Sequence, residues 1–504
     1  MLAKAYSNAV TGVDGYLVEV EIDLSQGLPS FNIVGLPDVA VREAKERVKA
    51  AIKNSAFQFP VKRVTVNLAP ADIKKKGVVF DLPIAVGILA AVDVVEENKL
   101  LDYTLVGELS LDGTIKRITG ALSMALATKD EGKKGIIVPY ENVQEASVVE
   151  GIEVIGVKSL EDVIDFFNQE LEAIEPVTES WQLNGEYQID YQDVKGHEEA
   201  KRALEVAAAG NHNLVMIGPP GAGKTMLARR LPTILPPLTK EESIEVTKIF
   251  SVIDKLPSEQ SLIKTRPFRN PHHSISQAGL VGGGRVPQPG EITLAHRGVL
   301  FLDELTEFKR QVLEILRQPL EKQEITLTRS AITLTYPCEF LLVAALNPCP
   351  CGYYGTEGRE CFCTPYQRKK YLHKISGPIL DRIDIHLEIP QLKAEELTTY
   401  RQGETSAEIK ERILAAREIQ TQRFKDTSIN YNAEMNTKAV EKYCLLDEKA
   451  EEMIKEAINR LHLSARAYDR ILKLSRTIAD LAATEIITIE HLGEAIQYRS
   501  LDRR

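Results

Sequence analysis

A chain that carries GPPGAGKT between a short apolar run and a helical run has few folds open to it. Here the string spans Gly218 to Thr225, after Leu214 to Ile217 and before Met226 to Leu231. Strand, glycine-rich turn and helix form the setting that a phosphate-binding loop requires. Backbone N–H groups close around phosphate oxygens only where no Cβ intrudes, and the helix N-terminus adds positive partial charge. Gly218, Pro219, Pro220, Gly221, Ala222, Gly223, Lys224 and Thr225 are therefore the expected nucleotide loop. Lys224 is placed on the β/γ-phosphates and the Thr225 hydroxyl on Mg²⁺, so ATP and Mg²⁺ are the implied ligands.

About eighty residues on, Gly298 to Glu304 reads GVLFLDE, an apolar strand ending in two carboxylates. In that position Asp303 is expected to hold Mg²⁺ through water, and Glu304 to orient or polarise an attacking water. A third apolar run, Phe340 to Ala345, leads into Leu346 and Asn347. An amide at that strand tip reaches the γ-phosphate or the lytic water, although Asn-Pro also starts turns readily.

At 504 residues the chain has room for roughly three domains of about 150 residues each. Its 44% hydrophobic and 27% charged residues suit a globular protein, and no apolar run reaches the ~20 residues that span a bilayer. The N-terminus lacks a signal-peptide core, so a cytoplasmic protein without membrane association is expected. The net charge of -10 argues against a surface that coats nucleic acid all over, while leaving room for a local basic channel. Residues 1–168 alternate strand-like and helical runs, an α+β block; 169–188 reads as a linker; 189–391 forms a P-loop α/β core; 392–504 is wholly helical. The fold class expected is α/β multidomain.

The strings RPFRNPHHSISQAGLVGGGRVPQPGEITLAHRGVLFLDELTEF (Arg266 to Phe308), LRQPLE, NPCPCGYYG and SGPILDRID resemble the magnesium-chelatase-like AAA+ ATPases, specifically the bacterial YifB/ComM proteins. The resemblance covers the whole chain and implies a hexameric or similar ring with ATP at subunit interfaces. It makes Asn347 the sensor 1 residue, Arg382 the arginine finger delivered to a neighbour's γ-phosphate, and Arg466 sensor 2, with Arg470 one turn on as the fallback. Outside that resemblance each arginine reads as a surface ion-pair partner.

Ser261 to Gly290 holds Lys264, Arg266, Arg269, Arg285, His272 and His273 and no acid. In the family this segment is an insert that projects toward a central pore. Arg329 lies between strand-like runs Glu324 to Thr328 and Ala331 to Tyr336, resembling the DNA-contacting hairpin of MCM helicases. Basic groups at lumen loops track a phosphate backbone with little sequence preference, which makes single-stranded or branched DNA the expected polymer; bracing of subunit interfaces is the alternative. The adjacent histidines are poor metal partners, because neighbouring side chains diverge on most backbones.

Cys349, Cys351, Cys361 and Cys363 form two Cys-x-Cys pairs in one loop, suited to a tetrahedral structural Zn²⁺ or simply to reduced thiols in a turn. Cys338 and Cys444 sit on apolar runs and read as core.

Within 1–168, VNLAPADIKKKGVVFDLPIAVGIL, GELSLDGTIKRITGAL and GIIVPYENVQEA resemble the proteolytic domain of Lon proteases in order. That chemistry needs a serine activated by a lysine. The matching positions hold Val79 and Leu122, while Ser110 and Lys116 stand elsewhere, so a catalytically dead fold is expected. Lys74, Lys75 and Lys76 read as a solvated turn or a phosphate-contacting tip. The expected function is an ATP-driven ring motor on DNA, of the branch-migration or helicase kind in recombination or transformation. A chelatase- or chaperone-type protein remodeller is the alternative, and an ATP-dependent protease the third.

Overall fold

The computed structural model describes residues 1–75, 77–168, 187–257, 260–284, 287–329, 332–356, 359–392, 403–461 and 463–499. The chain divides into two compact units, Met1–Gln182 with Lys240–Ile263, and Leu183–Thr239 with Lys264–Arg504.

The first unit is built on β1 (Leu2–Thr11), β2 (Asp14–Ser25), β3 (Ser30–Val34), β4 (Arg63–Ala69), β5 (Tyr103–Leu105), the short hairpin β6 (Glu108–Leu109) and β7 (Ile115–Lys116), β8 (Gly135–Pro139) and β9 (Glu153–Val157). Seven of these strands make one mixed sheet in the order β3-β4-β2-β1-β5-β8-β9. β1 pairs antiparallel with β2, and β2 with β4, while β5, β8 and β9 run parallel. Strict alternation puts Val18, Val20, Ile22 and Leu24 of β2 into the core, as a half-buried strand requires. The helix Val39–Asn54 starts where the Asp38 carboxylate accepts from the Val41 N–H at 2.9 Å. It buries Val41, Ala44, Val48, Ala51 and Ile52 along one stripe. The helix Asp81–Ala90 is buried all round, and its Asp81 carboxylate is clasped by Arg47 at 2.7 and 3.0 Å.

Two expectations shift here. Lys240–Ile263, which the sequence pattern assigned to the P-loop core, packs with the first unit. Its helix Lys240–Val252 buries Ser243, Val246, Thr247, Ile249 and Ser251, and Ser251 donates to Glu145. Lys75 is no solvated turn residue: it is fully buried, its backbone exchanging hydrogen bonds with Leu36 and Asp38. Burial pulls its ammonium below the ordinary lysine range. Lys74 is exposed, and Lys76 lies outside the described residues, as does most of the 169–188 linker.

The second unit is built on β10 (Leu214–Ile217), β11 (Phe268–Arg269), β12 (Gly282–Gly283), β13 (Gln288–Pro289), β14 (Val299–Leu302), β15 (Glu324–Arg329), β16 (Ile332–Pro337), β17 (Leu341–Leu346) and β18 (Ile385–Glu388). Its five-stranded sheet has the order β11-β14-β17-β10-β18, every pair parallel. β10, β14 and β17 are buried at every position, as strands covered on both faces must be. The helical C-terminal part contributes Ser406–Phe424, Thr437–Tyr443, Glu448–Leu461, Ala465–Leu481 and Ile489–Gln497. Thr405 and Ser464 cap two of these helices, accepting from the N–H groups of Glu408 and Ala467 at 3.2 Å each. Ile409, Ile413, Ile471, Leu474 and Ile478 share one core with Leu214, Met216, Phe301 and Val343. The helical block thus packs with the sheet in a single unit. No helix among the described residues is long and apolar enough to cross a membrane.

Candidate nucleotide-binding and hydrolysis site

In a parallel α/β sheet, ligands bind outside the carboxyl ends of the strands where the order reverses. β10 sits there, between β17 and β18. The loop Gly218–Gly223 leaves its end and turns into the helix Lys224–Ile234. A Cβ at Gly218 would lie 2.3 Å from the Ile389 carbonyl oxygen, so only glycine lets the loop pass the strand beside it. Gly221 has φ +78°, the left-handed backbone that favours glycine.

Lys224 is buried at 8% exposure and donates to the carbonyls of Gly218 and Pro219 at 2.7 and 2.9 Å, and to Asn347 Oδ1 at 3.3 Å. Burial pulls its ammonium below the ordinary range, against the opposing pull of Asp303 and Glu304. Thr225 donates through Oγ1 to Asp303 Oδ2 at 2.8 Å. Asp303 follows β14 and Asn347 follows β17, so four side chains from three strand ends converge on one point. A phosphate-binding loop, a hydroxyl–carboxylate pair and a buried lysine fit Mg²⁺·ATP in charge and donor set. Thr225 and Asp303 would hold the metal, which when bound neutralises phosphate charge.

Glu304 takes the left-handed conformation, φ +52°. Its N–H donates to Asp303 Oδ1 at 2.9 Å, and its carboxylate Oε2 lies 3.3 Å from His273 Nδ1. The sequence pattern counts His273 among the insert's basic residues and as a poor metal partner; its pairing with Glu304, across thirty-one positions of chain, leaves no local signature.

Arg382 and Arg466 stand apart from this network. Arg382 donates to the Pro378 carbonyl at 2.5 Å and pairs with Glu321. Arg466 is 75% exposed, 3.7 Å from Asp381. Both line an open cavity of about 530 Å³ with Asp381 and Glu321. Arg470 donates to the Ile383 carbonyl at 3.0 Å and faces Asp384 at 3.9 Å.

Of the basic insert, Arg269 is clasped by Glu291 at 2.6 and 2.8 Å. Arg266 donates to the carbonyls of Pro236, Arg297 and Pro237 at 2.5, 2.7 and 3.3 Å. Both therefore brace the fold from within, and Arg285 lies outside the described residues. Arg329 is exposed at the end of β15, in a hairpin with β16 whose register runs from Glu324–Pro337 to Arg329–Ile332.

The four cysteines of the loop after Asn347 come together. Cys349 Sγ is 3.3 Å from Cys351 and 3.7 Å from Cys361, Cys351 and Cys361 are 3.6 Å apart, and all four sulfurs lie within 4.8 Å of one another. A tetrahedron with Zn–S bonds of about 2.3 Å has edges of about 3.8 Å, so the cluster fits Zn²⁺. The Tyr353 backbone N–H, followed by Cys349, draws the Cys351 thiol down to about 6, toward the thiolate that a metal takes. Cys338 and Cys444 are buried elsewhere. The loop also rests on the phosphate loop, since a Cβ at Gly352 would lie 2.8 Å from Pro220 Cδ.

Val79 and Leu122, which the resemblance to Lon proteases set at the nucleophile and base positions, are buried in the apolar core of the first unit. Lys116 pairs across the β6–β7 hairpin with Glu108, and Ser110 lies in its turn.

Comparison with known proteins agrees with this geometry. Residues 190–397 match the model described as magnesium chelatase, subunit ChlI; residues 20–142 match subunit ChlI of Mg-chelatase, and 403–499 its C-terminal part. Competence protein ComM of Haemophilus influenzae is 46% identical across 100% of this chain and 98% of its own length. YifB of Escherichia coli is 44% identical over the same shares. Lon protease 2 of Bacillus subtilis is 30% identical over 30% of each chain. With the phosphate loop, Thr225, Asp303 and Asn347 gathered at the strand ends and this similarity running from end to end, the chain belongs to the ComM/YifB family of magnesium-chelatase-like AAA+ ATPases.

Proposed function

We propose that this chain is an ATPase of a hexameric ring that couples hydrolysis to movement on, or remodelling of, DNA. ATP binds on Lys224 and the Gly218–Gly223 loop; Glu304 polarises the lytic water and Asn347 faces the γ-phosphate. Arg382 and Arg466 share a cavity wall away from their own phosphate loop, the arrangement expected of cations that serve the nucleotide of the next subunit. A cation delivered in trans stabilises the charge that develops on the transferred phosphoryl. Zn²⁺ on the four cysteines props the loop that carries Asn347 against the phosphate loop.

The observation that carries the DNA reading is Arg329, an exposed cation at the end of β15 in the hairpin that leads into β17. Movement at Asn347, the other end of β17, has a short rigid path to that hairpin. The name of the Haemophilus relative, a competence protein, supports the same direction. The test is ATP turnover by the purified chain without DNA and with single-stranded, duplex and branched DNA. Stimulation by one form is the expected result; equal rates in all four conditions would remove DNA as the substrate.

A further inference from the structure

We propose that the helix Pro365–Leu372 and the cysteine loop before it form a second contact surface for single-stranded DNA. Phe362 and Tyr366 stack unpaired bases there, while Lys369 and Lys370 meet the phosphates. This rests on the DNA reading above and adds a site outside the Arg329 hairpin.

The run Cys361 to Lys374 holds Arg368, Lys369, Lys370 and Lys374 and no acid, in a chain whose net charge is -10. Thr364 caps the helix, its hydroxyl accepting from the Gln367 N–H at 3.3 Å. Positions 366, 369, 370 and 373, spaced three and four apart, then share one face. Tyr366, Lys369, Lys370 and His373 are all exposed on it, while Tyr371 is buried away from it. Lys369 and Lys370 pair with no acid among the described residues, so both charges are open to a polyanion. Tyr366 is 74% exposed and Phe362, just before the cap, 85%. Open rings beside a row of cations are the parts of a single-strand platform: the rings stack bases and the cations follow the backbone.

The platform is held rather than loose. Arg368 lies over the Tyr354 ring at 3.9 Å, tying the first half of the loop to the helix. Arg359 lies over Tyr353 at 4.8 Å and closes the loop on itself. The four cysteine sulfurs, within 4.8 Å of one another, draw its two ends together. Phe362 stands between Cys361 and Cys363, so its backbone is anchored on both sides. A base inside a duplex has its faces taken by its neighbours, whereas an unpaired base offers one to a ring. The rings therefore select single strands; cations alone would take either form.

Fluorescence anisotropy of the full chain with labelled oligo(dT), and with a duplex of equal length, tests this. Phe362→Ala combined with Tyr366→Ala should weaken oligo(dT) binding at least about ten-fold and leave the duplex affinity close to wild type. Phe362→Trp combined with Tyr366→Trp should keep the oligo(dT) affinity, because the stacking faces remain. Lys369→Gln combined with Lys370→Gln should lower the slope of log K against log salt by about 1.4. Tyr366→Ala alone keeps the test open if the double variant fails to fold. Wild-type binding to neither form would remove the DNA reading and this surface with it. Tight wild-type binding that no variant weakens would remove the surface alone, as would equal losses on both forms. Binding of poly-glutamate through the same two rings, or loss of ring assembly in light scattering, would also overturn it. Those results would give the face to an acidic protein partner or to another copy of the chain.

Discussion

Thr225 donates to Asp303 over 2.8 Å, a bond that ties the phosphate loop to a strand two places away in the sheet. On the proposed reading both oxygens would hold Mg²⁺, so each residue should matter to the metal-bound nucleotide and little to the bare one. Thr225→Ala should weaken Mg²⁺·ATP binding about ten-fold, the scale of one bond to a charged group. ATP affinity in EDTA should stay nearly constant. Titration of a fluorescent nucleotide with and without Mg²⁺ checks both.

The second unit should lose stability in mild acid. Burial, then the charges of Arg499 and Arg470, hold the His386 imidazole down to about 3. An unfolded histidine protonates at about 6.5, so between those values the unfolded state binds a proton that the fold refuses. Stability is complete above pH ~6.5 and declines as pH falls, by up to about 1.4 kcal/mol per unit. His491 leans the same way through burial. Denaturant unfolding at pH 7, 6 and 5 should show the decline, and His386→Asn should flatten it; an unaltered slope would move the effect elsewhere.

Metal content follows from the sulfur geometry. The purified chain should carry about one Zn²⁺. Cys361→Ser should lose it and lower the melting temperature, while Cys338→Ser, away from the cluster, should keep it. Elemental analysis beside thermal melts reads both; a metal-free wild-type chain with full ATPase activity would leave the loop to reduced thiols.

Much of this was legible before any coordinates, and the reason is local. Binary pattern and capping residues mark the helices of the C-terminal block, so the expectation of a wholly helical 392–504 meets helices such as Ala465–Leu481 among the described residues. Continuous apolar runs mark β10, β14 and β17, whose bounds differ from expectation by at most two residues. Pairings between distant segments leave no such mark. Nothing local marks Glu291 as the partner that clasps Arg269, and Lys75 sits in a run of three lysines that looks soluble. Lys240–Val252 has helical periodicity that says nothing about which unit supplies the other half of its core.

The Arg329 hairpin should account for contact with the polymer. Arg329→Ala should weaken DNA binding uniformly across sequences and lower the slope of log K against log salt by about one ion, with DNA-free ATPase close to wild type. Fluorescence anisotropy at several salt concentrations reads the slope; unchanged affinity would shift the reading toward protein remodelling.

The central claim is that one subunit's Arg382 completes hydrolysis on its neighbour's nucleotide. Lys224→Ala and Arg382→Ala should each be inactive alone, the first for want of a phosphate grip, the second for want of the trans cation. Mixed in equal amounts and allowed to reassemble, they place intact Lys224 opposite intact Arg382 at some interfaces. ATP turnover should then return to a measurable fraction of the wild-type rate. A mixture as inactive as its two components, or an Arg382→Ala protein that turns over at full rate, would contradict the account.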